Sequence, residues 1–284
     1  MPGPRYRPSS MMRPASASLA AGVLGFACSL LAASSSAQTP PPLPQLPPWA
    51  QLPQLAPIPG MPPLPFPQAP GAVGNPVVVA LYTSEMCGAC AAGDATLTRL
   101  TKTQGVAGAN MLTLEFHVDA MDTATGKDPY AKPDFGARQT SYAYQHGSNR
   151  IYTPEAIVDG MTDADGADES SVRRLVAQRA LVPKLGVNAA WAGLAIGVDV
   201  PPTRVKRAAV RVAWVAPSST LAAPGFRAAE HTNLVRDYAT IAEIAPQGGH
   251  FTIPAHLDPT LNAVVLVEDL ETGALLGARL VPHR

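Results

Sequence analysis

Cys87-Gly88-Ala89-Cys90 sets two thiols three residues apart, between an apolar run at residues 77–82 and a stretch of helical composition at 91–102. A thiol at a strand-to-helix junction has a physical reason to be reactive. Unpaired N–H groups and the helix dipole at such a terminus favour the thiolate, and in C-x-x-C motifs the first thiol falls from about 8.5 towards 7, or as low as about 3.5. Cys87 is therefore expected to be the nucleophile, and Cys90, deeper in the helix, the resolving thiol of a dithiol–disulfide exchange. As a structural staple the pair would close almost no chain and add little through loop entropy. A zinc site would need two further Cys or His ligands. A copper-handling site would join His117 to the two thiols. No cofactor is expected and no metal ligand set is assigned.

The compartment follows from the N-terminus. Arg5, Arg7 and Arg13 precede an apolar stretch at 19–33, and Ser34-Ser35-Ser36-Ala37 then resembles a small-residue cleavage site. Residues 1–37 are expected to be a signal peptide for a periplasmic or secreted protein, with an uncleaved anchor as the alternative and as the one route to a membrane. Of three cysteines, Cys28 would leave with that segment. Residues 38–74 form a proline-rich spacer, with 14 of the 31 prolines between Thr39 and Pro70, and favour extended polyproline II. Net charge is zero, from 21 basic and 21 acidic side chains, which argues against a nucleic-acid partner.

The elements that must position the dithiol are a β-α-β-α-β-α series over residues 75–185. The run at 77–82 reads as a buried strand and 91–102 as a helix with Leu97 and Leu100 on one face. A strand at 111–118, a helix capped by Asp134 and carrying Phe135, Gln139 and Tyr142, a strand ending at Asp159-Gly160, and a helix with Val172, Leu175, Val176 and Ala180 follow. That order predicts an α/β layered domain. Residues 186–284 change pattern. Val210, Val212 and Trp214 alternate with smaller or polar residues, 250–254 is a short strand, and 263–267 and 274–281 flank a hairpin signal at Glu271-Thr272-Gly273. A separate small antiparallel β domain, sandwich-like, is expected there.

Residues 77–180 resemble a bacterial secreted family with a thioredoxin-like fold, catalogued as a domain of unknown function, DUF1223. The shared motifs are Thr83-Ser84 ahead of the C-x-x-C, Asp94 four residues after it, and Phe116-His117-Val118-Asp119 with Asp122. Lys127-Asp128-Pro129, Phe135, Ala137-Arg138-Gln139, Tyr152-Thr153-Pro154 and Asp159-Gly160 complete the set. The resemblance implies that Pro154 is the cis-proline facing the dithiol and that Thr153 offers its backbone to an extended substrate peptide beside Cys87. Two departures stand out. Ala91-Ala92-Gly93 replaces the proline the family usually carries after the second cysteine, and Ala80 and Leu81 stand where it tends to place an acid. Glu85, Asp94 or Asp119 would then have to accept the proton of the resolving thiol.

The expected function is a thiol–disulfide oxidoreductase acting on a disulfide- or thiol-bearing protein or a small thiol, with Cys87, Cys90, Thr153 and Pro154 at its site. The alternative is a non-catalytic thioredoxin-like binding module, or a copper-handling protein, of the cell envelope. Of the remaining polar residues, His117 reads as a hydrogen-bonded structural histidine, Arg138 as the partner of Asp119 or Asp122, and 231–236 as a strand or connector without chemistry.

Overall fold

A computed structural model describes residues 75–103, 106, 108–217, 219–221 and 229–284; the expected signal peptide and proline-rich spacer lie outside them. The chain runs β1 (Val77–Thr83), α1 (Cys90–Thr103), β2 (Met111–His117), α2 (Pro133–Gln145), β3 (Glu155–Val158), β4 (Thr162–Asp165) and α3 (Glu169–Ala180). It continues as β5 (Asn188–Ala192), β6 (Ala195–Val200), β7 (Ala208–Ala216), β8 (Ser219–Leu221), β9 (Ala229–His231), β10 (Leu234–Ile244), β11 (Gly249–Pro254), β12 (Asn262–Asp269) and β13 (Leu275–Val281). The fold is mixed α/β, built on one eight-stranded sheet in the order β13-β12-β7-β10-β2-β1-β3-β4, with a three-stranded sheet β11-β6-β5 and the small pair β8-β9.

The expectation of a separate β domain after residue 185 is corrected by this topology. Strand β10 enters the large sheet parallel to β2, with Leu234 opposite Glu115, and carries β7, β12 and β13 in with it. The physical reason lies in β7, whose side chains are buried along both faces apart from Arg211 and Ala216, rather than on one face as its alternation suggested. One face, with Ala213 and Val215, joins Phe135 and Tyr142 of α2 and the β1–β2 core. The other, with Val210, Val212 and Trp214, packs on Ile196, Val198 and Ile253 of the small sheet. The sandwich-like packing is thus present, but as a second layer on a shared sheet.

The elements around the dithiol form for local reasons. Strand β1 is buried along its whole length and pairs parallel with β2, the crossover being α1. Helices α1 and α3 cover one face of β1 through Leu97, Leu100, Val172 and Val176. Helix α2 starts at Pro133, the position where a missing N–H costs nothing. Asp134 therefore sits inside the first turn rather than at the cap, its carboxylate near the positive helix end. Asp168 does cap α3, accepting from the Ser171 N–H at 3.1 Å. The turn after β3 is pinned by Asp159, which is fully buried. Its carboxylate accepts from the Val78 N–H at 2.9 Å and meets Arg179 and Lys184 at 3.1 and 2.5 Å. Among the described residues no helix is long and apolar enough to cross a membrane.

Candidate functional site

At the C-terminal end of β1 the chain turns through Ser84–Met86 and reaches Cys87. Its carbonyl accepts from the N–H of Cys90, the first residue of α1, at 3.2 Å. Cys87 and Cys90 are joined as a disulfide with a Cα–Cα separation of 5.3 Å. The two sulfurs differ in access. Cys87 is partly exposed, whereas Cys90 is 0% exposed.

The four residues expected at the site are brought together. The Thr153–Pro154 bond is cis. Thr153 lies against Cys87, with its carbonyl oxygen 3.8 Å and its hydroxyl 3.6 Å from Sγ. Pro154 nests against two glycines. A Cβ added to Gly93 of α1 would fall 2.6 Å from Pro154 Cβ, and one on Gly166 would fall 3.2 Å from it. The Ala91-Ala92-Gly93 segment that departs from the family pattern is therefore where the Pro154 loop closes on the helix, and only a residue without Cβ fits there.

Asp94 lies one helical turn beyond Cys90, on the same face. It is 6% exposed and accepts from the Thr83 hydroxyl at 2.6 Å. Burial, aided by the nearby Glu115 charge, pushes its carboxyl up to about 7. Of the three acids that could stand in for the missing strand carboxylate, Asp94 is the one held buried on the Cys90 side. Asp119 is partly exposed beyond β2, and Glu85 is drawn into a second cluster.

That cluster was not legible in the sequence. Glu115, in the middle of apolar β2, is 1% exposed. Its Oε1 lies 2.7 Å from His231 Nδ1 and 3.2 Å from His117 Nε2, while Oε2 accepts from the Thr232 N–H at 3.0 Å. His117 Nδ1 meets Asp128 Oδ2 at 2.8 Å, and the same oxygen accepts from the Glu85 N–H at 2.7 Å. His231 Nε2 is 3.2 Å from Glu85 Oε1 but lacks hydrogen-bond alignment. Tyr130 stacks edge-on to both imidazoles, with ring centroids 5.2 and 5.4 Å away. Burial alone would lower both histidines. The carboxylates outweigh it, raising His117 to about 9 through Asp128 and Glu115 and His231 to about 10 through Glu115 and Glu85. Burial works against Glu115 and Asp128 in turn, yet their imidazole partners hold both below the usual carboxylate range.

Two sequence expectations are thereby corrected. Residues 231–236 supply a buried histidine to the site, because β10 pairs with β2 across more than a hundred residues of chain. Arg138 pairs with Glu268 of β12 at 2.7 Å and lies over Tyr238 at 4.9 Å, not with Asp119 or Asp122, because α2 spans both halves of the sheet. His117 is hydrogen-bonded, as its place at the end of an apolar strand suggested. The one sequence signal for the cluster was a carboxylate inside an otherwise apolar strand, since a fully buried Glu is rare unless paired.

A model of the family described as protein of unknown function (DUF1223) matches residues 78–268. No curated protein matches the chain. Among solved structures, the chain is similar to a crystal structure of an Agrobacterium tumefaciens protein at 22% identity and a TM-score of 0.64, over 74% of this chain and 96% of that one.

Proposed function

The chain belongs to the DUF1223 family of proteins of unknown function, and from its site we propose that it is a thiol–disulfide oxidoreductase of thioredoxin-like fold, working in the periplasm or outside the cell. One observation carries this reading. A partly exposed sulfur, Cys87, is bridged to a fully buried one, Cys90, and faces the Thr153 carbonyl next to a cis-proline. The order β1-α1-β2-α2-β3-β4-α3, with β1 parallel to β2 and antiparallel to β3, supports the thioredoxin-like assignment of this half.

In the reducing direction the Cys87 thiolate attacks one sulfur of a substrate disulfide. A mixed disulfide forms and one substrate thiolate leaves. Cys90 passes its proton towards Asp94, and its thiolate attacks Cys87 Sγ. The protein disulfide forms, the second substrate thiolate is released, and two electrons have moved from the dithiol to the substrate. The reverse sequence oxidises a substrate dithiol. Because Cys90 is buried, external disulfides meet only Cys87, and resolution stays intramolecular. Thr153, beside Sγ, offers main-chain groups to an extended peptide at the point of attack.

The mature protein should turn over a model disulfide such as insulin in the presence of a thiol reductant. Cys87→Ser should abolish that turnover with the far-ultraviolet spectrum unchanged, and Cys90→Ser should trap the mixed disulfide. Undiminished turnover by Cys87→Ser would overturn the proposal.

A further inference from the structure

The cluster behind the dithiol has a use that disulfide exchange does not require. We propose that Glu85, His117 and His231 form a binding site for a divalent transition-metal ion, with zinc the ion best suited to the donor set. One ligand atom from each of these residues lies within 4.8 Å of the other two. Two imidazole nitrogens and one carboxylate oxygen are a zinc donor set that leaves a fourth position for water or a further ligand. In a tetrahedral site with bonds of about 2.0 Å, donors stand roughly 3.3 Å apart. The most widely separated pair must therefore draw together by up to roughly 1.5 Å, and Glu85 sits in the connection after β1 rather than in a strand.

Two observations separate this cluster from an ordinary buried ion-pair network. His231 Nε2 is a buried nitrogen without a hydrogen-bond partner, on a side chain 1% exposed, and it points at Glu85 Oε1 from 3.2 Å. Each imidazole is also held through Nδ1 by a carboxylate, His117 by Asp128 at 2.8 Å and His231 by Glu115 at 2.7 Å, while His117 Nε2 meets Glu115 Oε1 at 3.2 Å, a contact that metal binding must displace. Carboxylates on Nδ1 are the supporting arrangement that orients a metal-bound histidine and raises its basicity. The sulfurs are not needed. They are tied in the disulfide, so this site does not depend on the thiols or on the redox reading of them.

The test uses the mature chain with its disulfide intact, stripped with a chelator and titrated with zinc alone in a calorimeter, in two buffers of different ionisation enthalpy. One ion should bind per chain, with protons released to the buffer. Glu85→Gln should weaken binding at least about 10-fold, a loss of the size seen even for second-shell changes, and His231→Ala should abolish it. A Cys87→Ser/Cys90→Ser double variant should bind as the parent does. Failure of the stripped protein to bind zinc saturably would overturn the site, as would binding that survives Glu85→Gln or is lost with the two sulfurs. Should His231→Ala not fold, Glu85→Gln decides the matter alone.

Discussion

Strands β1 and β2 and strands β7 and β12 lie in one sheet, and all four are buried on both faces, yet they differ in what they carry. Strands β7 and β12 hold valine, alanine, leucine and Trp214 between α2 and the three-stranded sheet, with charge confined to Arg211 and to the Glu268–Asp269 end. Strand β2 places Glu115 and His117 in the interior, and β1 leads through Thr83 and Ser84 into the dithiol loop. Burying ions is costly unless each is paired, and here the buried ions lie against Glu85, in the loop that leads to the partly exposed Cys87. The added strands β10, β7, β12 and β13 act as support, and His231, at the end of β9 just ahead of β10, closes the polar end of β2.

Removing Glu115 probes the difference most strongly. Glu115→Ala should cost about 3–5 kcal/mol, the range for leaving buried charges without their partner, read from urea unfolding. Trp214→Ala should cost a similar amount, about 3–5 kcal/mol, by cavity formation alone. The two should separate in chemistry. Trp214→Ala should leave the rate of Cys87–Cys90 exchange at the parent value, and Glu115→Ala should change it. Equal effects on the rate would break the distinction between the halves.

Much of the polar half was legible. The apolar run before the C-x-x-C gave β1, the closing helix was anticipated by Val172 and Val176, and Glu271-Thr272-Gly273 marked the β12–β13 hairpin. The motifs pointed to Thr153 and Pro154 beside Cys87, where both are found. What could not be read was pairing at a distance. Nothing local to Leu234 says that it lies opposite Glu115, so the continuous sheet, the burial of His231 and the Arg138–Glu268 pair all escaped the sequence. Periodicity reports which face of a strand is apolar, not which strand lies beside it.

A smaller effect is expected where the helix meets the Pro154 loop. Gly93→Ala would drive a methyl group against Pro154 and should cost about 1–3 kcal/mol by overpacking. It should slow exchange by displacing Thr153 from Cys87, whereas Gly88→Ala, which meets nothing within 4 Å, should not. Equal rates in the two variants would show that the Pro154 contact does not position the site.

The smallest effect concerns Asp94. In the native protein this carboxyl holds its proton up to about pH 7, whereas an unfolded aspartate loses it near 3.9. Its contribution is full below about pH 4 and is lost as pH rises towards 7. Asp94→Asn stays neutral throughout, so its stability relative to the parent should rise by about 1–2 kcal/mol between pH 4.5 and 6. The same variant should slow resolution of the mixed disulfide and remove an inflection near pH 7 from that rate. A stability difference independent of pH would mean that Asp94 is ionised like a surface acid.

The central claim is that Cys87–Cys90 is an exchanging couple rather than an inert bridge, and its reduction potential tests this most directly. Equilibration of the protein with glutathione or thioredoxin-type redox buffers should place it between about −120 and −270 mV, among dithiols that turn over. A value below about −300 mV, typical of structural disulfides, would contradict the account.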